Sequence, residues 1–435
     1  MQRALSFHDS PPLSVPLRFF LNVPIFGVLA GLTLLIAGPQ ALVSRWTSYS
    51  LALTHLLTLG LLASAMTGAL MQILPVATGV TVAGVRTTAT VVHAGLTAGA
   101  LCLAAAFLWP QPWLFKAALF LLAVGFLWFL CACALGFWRF RGKALPGATE
   151  VLATVRLALA ALLITAVLGV ILASGMAWSL PLPFDLLTHI HASWGLLGWV
   201  GLLVIGIAFQ VLPIFQVTEL YPRTVTKWLP LSIFVLLLAL SAGLWFQING
   251  EAIVRVAGAW LGAAYVVFAA ATLYLLWTRK RPKPDTTTLF WRTSMASLAC
   301  CAPVWLGQTL SGSDYAITLG ILFMAGFAWS AVNGMLYKII PFLLWHAAQK
   351  DLKIALRVVP KVKDIIPDTR ARPQYWAHLL SLLLLLAAGL WPRLFSHAAG
   401  AAAMLSAAWL AWNMASGLRL YIRAKKEIAL ALVGT

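Results

Sequence analysis

Acidic residues are scarce in this 435-residue chain: Asp and Glu number 11, and all charged residues together make up 9%. A soluble globular domain carries about a quarter charged residues, so a water-soluble fold is excluded. All of the acids fall in predicted loops or at span ends, including Asp185, Glu219, Glu251 and Asp314. Ion-coupled carriers usually keep an acid near the bilayer centre, so its lack argues against such a carrier, short of one working through histidine or backbone carbonyls. Ser-His-Asp and Cys-His hydrolytic arrangements also lack an acid placed to orient a membrane histidine. Cysteine is sparse too. Cys102, Cys131, Cys133, Cys300 and Cys301 all stand in apolar stretches, which excludes a secreted disulfide framework and reads as small buried hydrophobes. The opening MQRALSFHDSPPLSVPLRFF has neither the compact apolar core nor the cleavage site of a signal peptide, so the first span is expected to be retained.

Apolar residues make up 62% of the chain. Runs of roughly 18 residues or more, long enough to cross a bilayer, predict spans near 17–37, 50–75, 85–109, 113–139, 151–175, 187–213, 226–247, 252–278, 288–310, 316–345, 374–391 and 395–423. The expected fold is therefore an all-α integral membrane protein of twelve transmembrane helices in one polytopic domain, residues 1–435. The formal charge of +19 could suggest nucleic acid, but topology accounts for it. Of 30 Lys and Arg, only Arg45, Lys116, Arg255 and Arg393 fall on one side of the twelve-span arrangement. By the positive-inside rule both termini are cytoplasmic, the expected location is a bacterial inner membrane, and no nucleic-acid partner is implied. The basic cytoplasmic loop 346–373 reads as a retention signal, with contact to anionic lipid or a partner protein as the alternative.

One pattern occurs three times: Gly68-Ala-Leu-Met-Gln72-Ile-Leu-Pro75, Gly206-Ile-Ala-Phe-Gln210-Val-Leu-Pro213 and Gly334-Met-Leu-Tyr-Lys338-Ile-Ile-Pro341. The copies close the second, sixth and tenth spans, which divides the chain into pseudo-symmetric units of four, near 17–139, 151–278 and 288–423. The glycine permits close helix approach and the proline ends the helix at the headgroups. Gln72, Gln210 and Lys338 serve that structural end or form an inner polar ring.

Histidine follows the repeat. His55 lies early in the second span, His189 and His191 open the sixth, and His397 opens the twelfth, all on the extracytoplasmic side. His93 and His378 open the third and eleventh spans on the other side, and His346 stands just beyond the third motif. A neutral imidazole is tolerable in an apolar bundle and is a strong ligand for haem iron or copper. His55, His189, His191 and His397 are thus the leading cofactor candidates, with His93 and His378 as a weaker inner pair. Residues two apart on a helix point about 200° apart, so His189 and His191 cannot both face inward. Counting from the repeat glycine favours His189, counting from Gly60 and Gly195 favours His191, and both stay open.

Twelve helices in three units of four, with histidines entering the second and sixth, resemble subunit I of the haem-copper oxidases and, more closely, the NnrS-like membrane proteins. Pro16-Leu-Arg18-Phe-Phe20 is similar to the Arg-Pro-Phe-Phe opening of NnrS proteins. His55-Leu-Leu-Thr-Leu-Gly60, running on to Leu74-Pro75 and Gly79, is similar to their second helix, and His189-Ile-His191 to their His-x-His pair. The departures are equally definite. The tenth span, 316–345, lacks the two haem-holding histidines of an oxidase, 226–247 has no histidine, and the sixth span has no His-Pro-Glu or linked tyrosine. A functional oxidase is not expected.

The resemblance implies haem b, with copper on His55, His189 and His191 as the further metal expectation, and a part in nitric oxide handling or respiratory metal or haem homeostasis. It also implies a respiratory or nitric-oxide-related protein partner within the lipid bilayer. The alternatives are a transporter or channel for a small solute, metal or haem, and a non-catalytic assembly scaffold.

Overall fold

The computed structural model describes residues 10–140, 148–246, 250–349 and 359–433. His8 and residues 350–358 of the basic loop lie outside them. The described residues are helical, without a strand among them. The long helices are α1 (Ser14–Ala37), α2 (Ser48–Thr78), α3 (Val85–Leu108), α4 (Pro112–Arg139), α5 (Thr149–Trp178) and α6 (Phe184–Gln216), then α7 (Arg223–Phe246), α8 (Gly250–Trp277), α9 (Thr286–Ser311), α10 (Ala316–Ala348), α11 (Asp368–Leu390) and α12 (Pro392–Val433). Among the described residues, eleven helices are long and apolar enough to cross a membrane, which makes this a multi-pass membrane protein.

The exception is α9, which is 26 residues long but too polar to count by hydropathy. Its polar side chains face inward: Thr287, Thr288 and Ser294 are buried, and their hydroxyls bond to Gly334 O, Gln216 Oε1 and Phe327 O. Hydropathy counts those groups as exposed to lipid, whereas the fold satisfies them internally.

α2 and α6 are the most enclosed helices, with 72% and 78% of their apolar windows buried, whereas α5, at 22%, turns most of its surface outward. Exposed tryptophans form two girdles. Trp138, Trp228, Trp277 and Trp376 stand near the ends of α4, α7, α8 and α11 that carry most of the Lys and Arg, here the basic end. Trp109, Trp113, Trp178, Trp245 and Trp391 mark the opposite end. Indole rings at two depths are what the two membrane interfaces favour.

The first and last long helices pack against each other. A Cβ on Gly31 would collide with the backbone of Met404, and one on Gly400 with the backbone of Leu35. With Gly27 against Ala407, the Gly-x-x-x-Gly spacing of α1 lets the two backbones touch.

Three points differ from expectation. Only Cys133 is buried; Cys131 and Cys300 are exposed, because positions two apart, or adjacent, fall on different sides of a helix. α10 runs beyond residue 345 and carries His346 in its last turn, at the basic end. α12 is 42 residues long, roughly 60 Å at 1.5 Å per residue, twice the hydrocarbon thickness.

α2, α6 and α10 are not uniform α-helices. Each contains a stretch of wider π-helix: Leu56–Ala63, Trp194–Gly201 and Ile321–Trp329. Leu56, Trp194 and Ile321 stand 12, 12 and 13 residues before Gly68, Gly206 and Gly334. A π turn disturbs the backbone bonding of its neighbours, and adjoining helices supply donors. The Tyr265 hydroxyl of α8 donates to Leu197 O within the α6 stretch, and Ser294 of α9 donates to Phe327 O within the α10 stretch at 2.8 Å.

Candidate functional site

Two of the histidines come together at the end opposite the basic one. His55 is the last residue before the π stretch of α2; its Nδ1 lies 2.7 Å from Leu51 O, and its ring centroid 5.1 Å from that of Phe107 on α3. His191 lies just ahead of the π stretch of α6, with Nδ1 3.1 Å from Thr165 O on α5. Its ring rests over Gly169, where a Cβ would stand 3.2 Å from Cε1. The two imidazoles are within electrostatic range of each other. Both are partly buried.

The bonding fixes the tautomers. A carbonyl oxygen only accepts, so the proton of each ring is on Nδ1 and the lone pair is on Nε2. An imidazole pinned through Nδ1–H to a carbonyl is oriented and made more basic for coordination at Nε2. His55 and His191 therefore each leave an Nε2 lone pair that could coordinate a metal or haem iron.

His189 is occupied differently. Its Nε2 lies 2.9 Å from the Arg45 guanidinium and 3.5 Å from Asp185 Oδ1, and since a guanidinium only donates, that nitrogen accepts. His397 is exposed; its Nδ1 donates to Leu35 O at 2.7 Å and its ring edge abuts Gly38. It satisfies one of the last carbonyls of α1 and ties that helix to α12.

Among the described residues no three His, Cys, Asp or Glu side chains form a metal-binding group. The three-histidine copper set is accordingly not assembled, because His189 points away from His191 into the Arg45 and Asp185 pair.

The inner histidines each have their own neighbours. His93 is half-buried, its ring edge-on to Phe19 at 5.3 Å. His378 is fully interior, with Nε2 2.9 Å from Ser330 Oγ, Nδ1 3.5 Å from Asn333 Nδ2, and the rings of Phe290 and Trp329 against it. Both ring nitrogens of His378 thus have protein neighbours.

Of the expected inner ring, Gln72 and Gln210 share the lining of one cavity, of about 110 Å³, between α2, α6 and α10, otherwise walled by apolar side chains such as Phe20, Phe215 and Phe342. Lys338 is drawn elsewhere: its Nζ is 2.8 Å from Asp285 Oδ2, at the N-cap of α9. Burial works to raise the Asp285 carboxyl, but the Lys338 charge and the hydrogen bonds from Lys338 and Thr288 outweigh it and hold it below the ordinary aspartate value. A second cavity, of about 60 Å³, adjoins the first and shares Phe20, Ala69 and Ile339 with it.

Sequence reasoning missed Arg45, Thr165 and Gly169, the groups that orient His189 and His191. It also missed the π stretches, whose only trace is the glycine at Gly60, in the run Gly195, Gly198 and Gly201, and at Gly326. No protein family matches this chain, and no curated protein does.

Proposed function

We propose that this chain is a haem-binding inner-membrane protein in which His55 of α2 and His191 of α6 hold the iron. The observation that carries the reading is the shared state of these two imidazoles: within electrostatic range, each with Nδ1–H spent on a backbone carbonyl and Nε2 left as the coordinating atom. A haem held by both imidazoles would supply one-electron chemistry. The protein contributes orientation through Leu51 and Thr165, an apolar surround from Phe107, and a cation, Arg45, near the same end of the bundle.

The threefold arrangement belongs to the same reading. The spacing of the π stretches from the three repeat glycines, and the inward-facing polar side of α9, support twelve spans in three units of four. The four-against-26 division of Lys and Arg supports cytoplasmic termini. Nitric oxide handling or respiratory haem homeostasis rests on the resemblance to NnrS-like proteins and its quoted motifs. A conduit for hydrated solutes has less support, because the axial cavities are apolar apart from two glutamines.

The test is the oxidised and dithionite-reduced spectrum of detergent-purified protein from haem-supplied cells. A b-type Soret band that His55→Ala and His191→Ala each remove or shift, and His189→Ala retains, is the expected result. A colourless wild type, or equal haem content in all of these variants, would overturn the assignment.

A further inference from the structure

The cavity at the basic end of α2, α6 and α10 makes a demand of its own. Its walls are hydrocarbon and aromatic, with Phe20, Val76, Phe215 and Phe342 among them, and the polar residues of its lining are Gln72 and Gln210. Gln72 is 6% exposed, and its Oε1 is a buried acceptor without a hydrogen-bond partner among the described residues. Leaving a buried acceptor unmatched is costly, so such groups in native proteins are usually met by a protein group, an ordered water or a ligand.

The chemistry of the walls narrows what can meet it. Among the described residues no charged side chain lines the space, and Lys338, which the repeat places on the neighbouring stretch of α10, is committed to Asp285, so a charged occupant has no counter-ion among them. A purely apolar occupant would leave the Gln72 oxygen unsatisfied. The volume, about 110 Å³, exceeds the roughly 30 Å³ share of one water and approaches the roughly 150 Å³ apolar cavity known to admit benzene. We propose that this cavity is a binding site for a small neutral molecule with an apolar body about one ring in size and a single hydroxyl, an alcohol or phenol, which donates its O–H to Gln72 Oε1. The site lies at the end of the bundle away from His55 and His191 and stands or falls independently of haem binding.

A diazirine-substituted phenol is photolysed with the full-length protein in detergent, and labelled peptides are mapped by mass spectrometry. Label is expected on the α2 segment 69–77 and the α10 segment 339–343. p-Cresol, with the hydroxyl, is expected to displace it at concentrations about 2- to 12-fold lower than toluene, the range one net hydrogen bond supplies. In Gln72→Leu the two competitors should become equal, and Ala69→Phe, which fills the shared wall of both cavities, should abolish labelling while eluting as a monodisperse species. Equal competition by p-cresol and toluene in the wild type, or label confined to other helices, overturns the proposal without recourse to any variant. Retained labelling in folded Ala69→Phe overturns it as well.

Discussion

The contact between α1 and α12 allows one substitution to be predicted with opposite signs at two positions. At Gly31 an added methyl would meet the backbone nitrogen and Cα of Met404, and backbone, unlike a side-chain tip, cannot rotate away. Relief requires the two helices to part. A gap of 0.5–1 Å forfeits about a quarter to a half of each dispersion contact along the seam. With about 1 kcal/mol regained from the better helix propensity of alanine, Gly31→Ala should destabilise the protein by roughly 1–3 kcal/mol. Gly307, in the last turns of α9, has nothing within 4 Å of its hypothetical Cβ. There the propensity gain is unopposed, and Gly307→Ala should stabilise by about 0.5–1 kcal/mol. The assay is the fraction of monodisperse protein remaining after a heating series in detergent, read by size exclusion. If Gly31→Ala melts with the wild type, or Gly307→Ala loses as much as Gly31→Ala, the seam is not as tight as its geometry says.

Three further outcomes follow from the polar contacts. His378→Ala removes one partner each from Ser330, which keeps its bond to Ala325 O, and Asn333, opens a void, and should cost about 2–4 kcal/mol in thermal stability while leaving any visible absorption unchanged. Asp285→Asn breaks the half-buried pair with Lys338 and should cost about 1–3 kcal/mol at neutral pH. Because Asp285 titrates below its ordinary value, the stability it contributes is present above that value and is lost as pH falls through the folded one. The melting difference between wild type and Asp285→Asn should therefore be constant from about pH 6 to 8, where aspartate is ionised in both folded and unfolded chains, and shrink below about pH 4. An undiminished difference there would refute the pairing. Tyr265→Phe removes the donor to Leu197 O and should speed amide exchange through Trp194–Gly201 before it affects the rest of α6.

The membrane fold was legible in the chain because hydropathy and the scarcity of charge act on every residue at once. The repeat was legible because Gly, Gln or Lys, and Pro recur at fixed spacing. What failed was any argument needing the direction of one side chain. Comparing His55 with His189 on a helical wheel asks which residues are equivalent, but equivalent residues on helices related by rotation face alike with respect to the axis and need not face each other. His191, which the count from Gly60 and Gly195 favours, is turned toward α5, where Thr165 O and the open surface of Gly169 receive its ring, and no local pattern on α6 announces those two groups. Lys338 looked like a third member of a polar ring for the same reason. Its partner, Asp285, stands 53 residues earlier, and only tertiary packing brings the two together.

The embrace of α1 by α12 also sets a timetable for biosynthesis. Leu35 and His397, which bond across it, are 362 residues apart. At about 5–20 residues per second a ribosome needs roughly 20–70 s to travel that far. For that interval the bare Gly27 and Gly31 face of α1 is a vacant landing strip in the membrane, open to lipid, to the insertion machinery or to the wrong helix. The seam can form only when the final span arrives, so a chain cut before Pro392 should keep that face of α1 uncovered and be recognised and cleared by quality control, even though every helix needed for His55 and His191 has already been made.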